Sequence, residues 1–157
     1  MSWGDNLKNK NGLLKKKKNG FSLLELLIVV AIILIVATIA IPSLLRSRQA
    51  SNESAAVANV RNLNTAQVSY SSTHGTYGTI ADLISFRLLD DRYGNPNFNG
   101  YRFTVALSGG NRNYTAFANG VSLTTSRYDY YSTPDFVIRY STTATRAPSG
   151  LTGFPVQ

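Results

Sequence analysis

The chain has 157 residues, 16 Lys and Arg against 8 Asp and Glu, and no cysteine. The missing cysteines exclude disulfides and thiol chemistry, and His74 as the only histidine cannot build a zinc site. The formal charge of +8 suggests nucleic acid, but its distribution does not: residues 1–20 hold all six lysines against Asp5, a net of +5, and the rest carries ten arginines against seven acids, a net of +3.

In chain order, Met1–Gly20 is polar, lysine-rich and without a hydrophobic face. It reads as a processing segment and is left out of fold reasoning. Lys15, Lys16, Lys17 and Lys18 stand immediately before Asn19-Gly20. The excess of cations on the cytoplasmic side of a span predicts that this end stays inside and the remainder is sent outward.

Phe21–Ile41, FSLLELLIVVAIILIVATIAI, is 21 residues long with Glu25 as its only charge. At ~1.5 Å per residue a helix over it is about 31 Å long, close to the ~30 Å hydrocarbon core of a bilayer. A surface helix of a soluble protein would show a polar stripe, and this run is apolar on all sides. A secretory signal cut near Thr38-Ile39-Ala40 is the weaker alternative, because the apolar run is too long and the small-residue site poor. A carboxylate within lipid is costly, so Glu25 is a functional candidate unless it reaches the headgroups.

Lys18-Asn19-Gly20-Phe21-Ser22-Leu23-Leu24-Glu25-Leu26 resembles the prepilin motif of type IV pilins and the related type II secretion pseudopilins. The resemblance covers roughly a third of the chain and is specific: basic run, glycine, aromatic, spaced glutamate and apolar helix occur in order. It implies that a prepilin peptidase cuts after Gly20 and methylates the new amino terminus on Phe21. Glu25 then becomes the fifth residue of the mature chain, the family's usual place for this acid. Pro42 matches the family's helix-breaking proline.

Beyond Ile41 the chain keeps helical character from Ser43 to Tyr70. A proline inside a helix removes one hydrogen bond and crowds the preceding turn, so a kink is expected at Ile41–Pro42. Ala56, Val60, Leu63, Gln67 and Tyr70 recur at helical spacing and predict a buried face, with Ala58, Arg61, Thr65 and Ser69 opposite. The helix is expected to end near Ser71-Ser72-Thr73. His74 to Gly78 is read as a loop; it resembles the G-x-Y turn of pilin-like chains, with Gly78 where a proline is often found. Ile80–Leu89 carries Leu83, Phe86 and Leu89 at one-turn spacing and predicts a short helix.

Asp90-Asp91-Arg92-Tyr93-Gly94-Asn95-Pro96-Asn97 is rich in turn formers. Two acids and two amides also resemble hard-cation ligands, and the family resemblance adds that some pseudopilins bind calcium. The spacing is not an EF-hand and Arg92 sits beside both acids, so a solvated turn is the preferred reading, with no metal site. Tyr101, Phe103, Val105 and Leu107 alternate with Arg102, Thr104 and Ala106, the pattern of a half-buried strand. Gly109-Gly110-Asn111 turns the chain into a second strand, Asn113–Ala118, followed by a turn signal at Asn119-Gly120. Phe136–Tyr140 predicts a third strand and Val121–Thr125 a fourth. From Ser141 to Gln157 the composition suggests a flexible surface tail.

The predicted fold is α+β: a long N-terminal helix, apolar in its first half and amphipathic in its second, packed on a small antiparallel sheet. The expected organisation is a cleaved cytoplasmic leader (1–20), a transmembrane or filament-core helix (21–41) and a globular pilin-like head (42–157). The apolar half has no partner within the chain and must be buried in lipid or against copies of itself. The family resemblance implies a filament, in which Glu25 pairs with the amino terminus of Phe21 on a neighbouring subunit. Its implied partners are identical subunits, prepilin peptidase, the pilus assembly machinery of the inner membrane and, before assembly, lipid. The precursor would reside in the inner membrane with its N-terminus cytoplasmic, and the assembled pilus at the cell surface.

No catalytic constellation or cofactor motif is present, which makes an enzyme the least favoured class. The leading reading is a structural subunit of a type IV pilus serving adhesion, twitching motility or DNA uptake. The alternatives are a minor pilin or type II secretion pseudopilin, and an uncleaved single-span protein with an outward sensing or binding domain. Nine tyrosines and ten arginines permit base stacking and phosphate contact. Tyrosines at alternating strand positions, such as Tyr101 and Tyr114, read first as core and sheet, which leaves nucleic-acid binding weakly supported.

Overall fold

The structure is a computed structural model that describes residues 20–141 and 153–156. The lysine run 15–18, most of the leader and residues 142–152 and 157 of the expected tail lie outside the described residues. The chain divides into two compact units, Met1–Thr38 and Ile39–Gln157. The division falls slightly ahead of the Ile41/Pro42 boundary read from the sequence.

A helix, α1, runs from Leu23 to His74. In the first unit it is built almost wholly from aliphatic residues, and its large side chains from Phe21 to Val36 are exposed. Among the described residues of that unit, α1 is the one element, and no second element packs against them. In the second unit the helix becomes two-faced. Ala56, Val60, Leu63 and Gln67 are fully buried and Tyr70 half-buried, while Ala58, Arg61, Thr65 and Ser69 are exposed. The predicted face is therefore the packed face. The helix assignment passes through Pro42 without interruption and continues to His74, beyond the expected end.

A five-stranded antiparallel meander in the order β1-β2-β3-β4-β5 covers this face: β1 Tyr101–Ser108, β2 Asn113–Gly120, β3 Asp129–Ser132, β4 Ile138–Ser141 and β5 Phe154–Pro155. Tyr101, Phe103, Tyr114, Ala116, Ala118, Tyr130 and Ile138 form one core with Ala56, Val60, Leu63 and Ala66 of α1. Alanines on both helix and sheet leave room for the large tyrosine rings between them. The β1–β2 hairpin pairs Tyr101 with Gly120 through to Ser108 with Asn113. Its turn places Gly109, Gly110 and Asn111 in the left-handed region (φ 59, 67 and 63), which glycine and asparagine tolerate best.

Several expectations are corrected. Asn119-Gly120 belongs to β2 instead of turning the chain, because the Gly120 N–H donates to Asp129 Oδ1 (2.8 Å) beside the neighbouring strand. Val121–Thr125 is a folded loop, closed by Thr125 N and Ser126 N donating to the Ser122 carbonyl, each at 3.1 Å. The third predicted strand starts at Ile138 because Phe136 adopts φ 61 and its N–H closes a turn onto Thr133 O (2.9 Å). The short helix, α2, covers Ile80–Ser85 with a Thr79–Asp82 capping box, and stops at Phe86 and Arg87, the latter at φ 56. Phe154–Pro155 of the expected tail is β5, tied further by Val156 N to Ile138 O (2.8 Å).

Candidate functional site

The site defined by the sequence is the start of α1. Gly20 and Phe21 precede the helix, and Phe21 is 76% exposed. The Ser22 carbonyl accepts the first helical bonds, from Glu25 N (3.1 Å) and Leu26 N (3.2 Å). This places Glu25 in the first turn, where its carboxylate complements the positive end of the helix dipole. Its side chain is exposed, as are the aliphatic residues around it. Gly20, Phe21 and Glu25 are thus brought together at one helix end by simple chain proximity.

Downstream of them the helix holds a window of mean hydropathy 3.1, none of it buried. Fifteen large apolar side chains between Phe21 and Ile41 face outward. Removing one such side chain from water is worth about 1.5–3 kcal/mol, so the uncovered surface represents tens of kcal/mol. The one hydroxyl deep in the run is internally satisfied, with Thr38 Oγ1 donating to Ile35 O at 2.7 Å. Pro42 lacks the N–H that would bond the Thr38 carbonyl, so the ladder has a gap at the end of this stretch.

The head holds polar anchors that periodicity alone did not single out. Gln49 Nε2 donates to Leu123 O (2.8 Å), and Asn52 Nδ2 to Thr125 O (2.9 Å). Buried Glu53 accepts from Arg127 N (2.9 Å), Nε (3.0 Å) and Nη2 (2.7 Å). These three α1 residues fasten the loop between β2 and β3. Their signal in the sequence is a set of polar side chains at helical spacing on the same side as the core residues. Asn64 bridges Tyr114 and Ser132 inside the core, at 2.9 and 2.8 Å. Burial pushes the Tyr101, Tyr114 and Tyr130 hydroxyls up from their ordinary range, so they remain protonated hydrogen-bonding groups.

Two candidates take structural roles. Asp90 caps a 3-10 turn, Asp91–Gly94, and its Oδ1 accepts from Arg92 N and Nε, both at 2.9 Å. The arginine side chain, then its backbone N–H, holds this carboxyl below its usual range. His74 is the last residue of α1 instead of a loop residue, stacked on Tyr70 at 4.1 Å and edge-on to Phe86 at 4.5 Å. Among the described residues no group of three or more His, Cys, Asp or Glu is arranged to hold a metal ion.

A single long helix, bare and apolar at its start and roofed by an antiparallel sheet further on, defines an α+β, pilin-like protein. The family model for the prokaryotic N-terminal methylation motif matches residues 15–41, across the Gly20–Phe21 bond. The chain is also 44% identical over 70 residues to the type IV major pilin protein PilA of Myxococcus xanthus (strain DK1622). That match covers 45% of this chain and 32% of the relative, so it spans about a third of the relative's length. Motif and identity together make the chain similar to type IV pilins over its N-terminal part.

Proposed function

We infer that this chain is the subunit of a type IV pilus, made as a membrane-anchored precursor and polymerised through the first half of α1. The observation that carries the reading is the uncovered apolar helix with one acid in its first turn. Such a surface is stable in two settings, lipid before assembly and neighbouring copies of the same helix after it. In this reading residues 1–20 are a cytoplasmic leader, 21–41 the span and later the filament core, and 42–157 the outward head. Cleavage after Gly20 creates an amine on Phe21, whose methylation leaves a charged group. Glu25 of a neighbouring subunit is its counterion, and a slip in axial register would strand both charges in an apolar core.

The test is the N-terminal residue of protein recovered from sheared surface filaments. The expected result is a methylated Phe21. All six lysines precede that bond, so the denatured filament protein should resist a lysine-specific protease while the precursor is trimmed. Filaments lacking the protein, or protein starting elsewhere, would refute the reading.

A further inference from the structure

The loop between β2 and β3 presents apolar side chains to solvent on a backbone held unusually firmly. Leu123 is 70% exposed and Val121 is 48% exposed. Yet the carbonyls of Leu123 and Thr125 and the N–H of Arg127 are each fixed by a side chain of α1, namely Gln49, Asn52 and Glu53. A lone exposed leucine needs no explanation. One whose own carbonyl is clamped by a buried glutamine, beside further exposed apolar residues, forms a shaped surface.

Helical geometry says what lies next to it. Leu45 and Arg46 stand four and three residues before Gln49, on the side of α1 that holds the loop. Leu44 and Leu45 are exposed. Arg46 and Arg48 are exposed and belong to none of the ion pairs among the described residues, which join Arg92 to Asp90, Arg127 to Glu53 and Arg139 to Asp135. Between Glu25 and Glu53 the helix carries no acid, and Arg127 neutralises Glu53. The rim of the head thus combines outward leucines with uncompensated guanidinium groups. Ile41 to Arg46 is five residues, about 7.5 Å of helix, which matches the roughly 5–7.5 Å of headgroup layer on each side of the hydrocarbon core.

The geometry points to a membrane-contact rim: Leu123 and Val121 enter the interface of an anionic phospholipid bilayer while Arg46 and Arg48 pair with its phosphates. The occupant is lipid and not a second copy because the free charge is all of one sign. Two copies of this rim would repel, whereas anionic headgroups complement it. The inference rests on the reading of Phe21–Ile41 as a span. Its consequence is that the head lies against the membrane before assembly and must be detached on entry into a filament.

The chain has no cysteine, so single cysteines can be introduced for labelling. The full chain would carry an environment-sensitive fluorophore at Leu123→Cys, Leu34→Cys or Phe136→Cys. Phe136 lines a groove with Arg61, Asn64 and Val68, about 18 Å or more further along α1 than Gln49. Each protein is reconstituted in phosphatidylcholine vesicles with or without phosphatidylglycerol, using lipids brominated near the carbonyl or at mid-chain. The Leu34 label should be quenched by mid-chain bromine in both vesicles. With phosphatidylglycerol present, the Leu123 label should shift to the blue and be quenched by carbonyl-level bromine, and the Phe136 label should not. Arg46→Gln and Arg48→Gln should each lower the bound-to-free ratio of the loop about fivefold. A Leu123 label that stays in water while Leu34 is quenched overturns the rim and leaves the span standing. A response that rises with protein-to-lipid ratio and ignores bromine assigns the rim to a second copy and also overturns it. An unquenched Leu34 label refutes the span and the rim together.

Discussion

The side-chain amide of Gln67 closes on both backbone groups of Gly78. Its Nε2 donates to the Gly78 carbonyl at 2.7 Å, and its Oε1 accepts from the Gly78 N–H at 3.0 Å. The partners fix the orientation of the amide, since only one of its two flips satisfies both. Gln67 is fully buried, so these bonds replace the water that its amide loses on folding. They also explain a departure from the pilin pattern. A proline at position 78 could not donate, and a Cβ there would meet the Tyr70 ring at 3.0 to 3.1 Å.

Gly78→Pro should therefore destabilise the head, by about 1–3 kcal/mol for the orphaned Gln67 oxygen before any steric cost. At roughly 2–6 °C per kcal/mol for a unit of this size, the loss is readable as a melting shift of the full chain in detergent. Gln67→Leu should cost at least as much, because it leaves both groups of Gly78 unpaired. A proline variant that melts at the wild-type temperature would mean that the Gln67–Gly78 bonds contribute nothing.

Much of this architecture was legible in the sequence, and the parts that were not share a cause. The apolar half of α1 follows from its length and uniform composition, and the buried face and the first two strands follow from period, because each of these buries one side. β3 is different: Asp129, Tyr130, Tyr131 and Ser132 are all buried, so apolar and polar residues do not alternate. Its acceptability depends on partners distant in sequence, such as Asn64 for Ser132 and Gly120 for Asp129. The Asn119-Gly120 turn signal lost to the same contact. At the N-terminal site the motif was legible because it is a linear one, carried by neighbouring residues and not by tertiary packing.

The ion pair of Glu53 and Arg127 should matter far more than that of Asp90 and Arg92. Glu53 is buried and accepts three bonds from Arg127, so Arg127→Ala leaves a carboxylate with only the backbone N–H. The arginine is itself half exposed, which limits the expected loss to about 1–3 kcal/mol. Arg92→Ala removes a pair whose members both face solvent, and no measurable melting shift is expected. Equal shifts in the two variants would contradict this ranking.

Asp135 gives the head an acid-sensitive turn. Arg139 Nη2 lies 2.6 Å from its Oδ2, and the Thr133 hydroxyl (2.7 Å) and Val137 N–H (3.1 Å) donate to Oδ1. The arginine bond above all holds this carboxyl down to about 2, against the burial that would raise it. A carboxyl of about 3.9 in the unfolded chain thus ionises more easily when folded. The stabilisation is complete above about pH 4 and is lost as pH falls through 4 towards 2. Asp135→Asn should flatten the fall in melting temperature over that window and leave its slope above pH 5 unchanged. An identical acid profile in the variant would remove Asp135 from the account.

Glu25 is expected to govern assembly and not insertion or processing. Replacing it with Gln keeps the shape and removes the charge. Insertion should become easier, since a carboxylate costs about 2.5–3.5 kcal/mol at mid-bilayer and less near the end where Glu25 lies. Cleavage after Gly20 should persist, because the peptidase must act at the bond itself, five residues earlier. Filament yield should fall sharply, because the Phe21 amine of the neighbouring subunit would lose its countercharge in an apolar core, at a cost of several kcal/mol. A Glu25 that only reached the headgroups would make the opposite forecast, with Gln tolerated throughout. The decisive comparison measures processed protein in membranes beside protein in sheared filaments from the same cells. Processed Glu25→Gln protein accumulating in membranes, with few filaments, is the expected pattern. Normal filament yield from this variant would strip Glu25 of the register role and leave it an acid at the membrane surface.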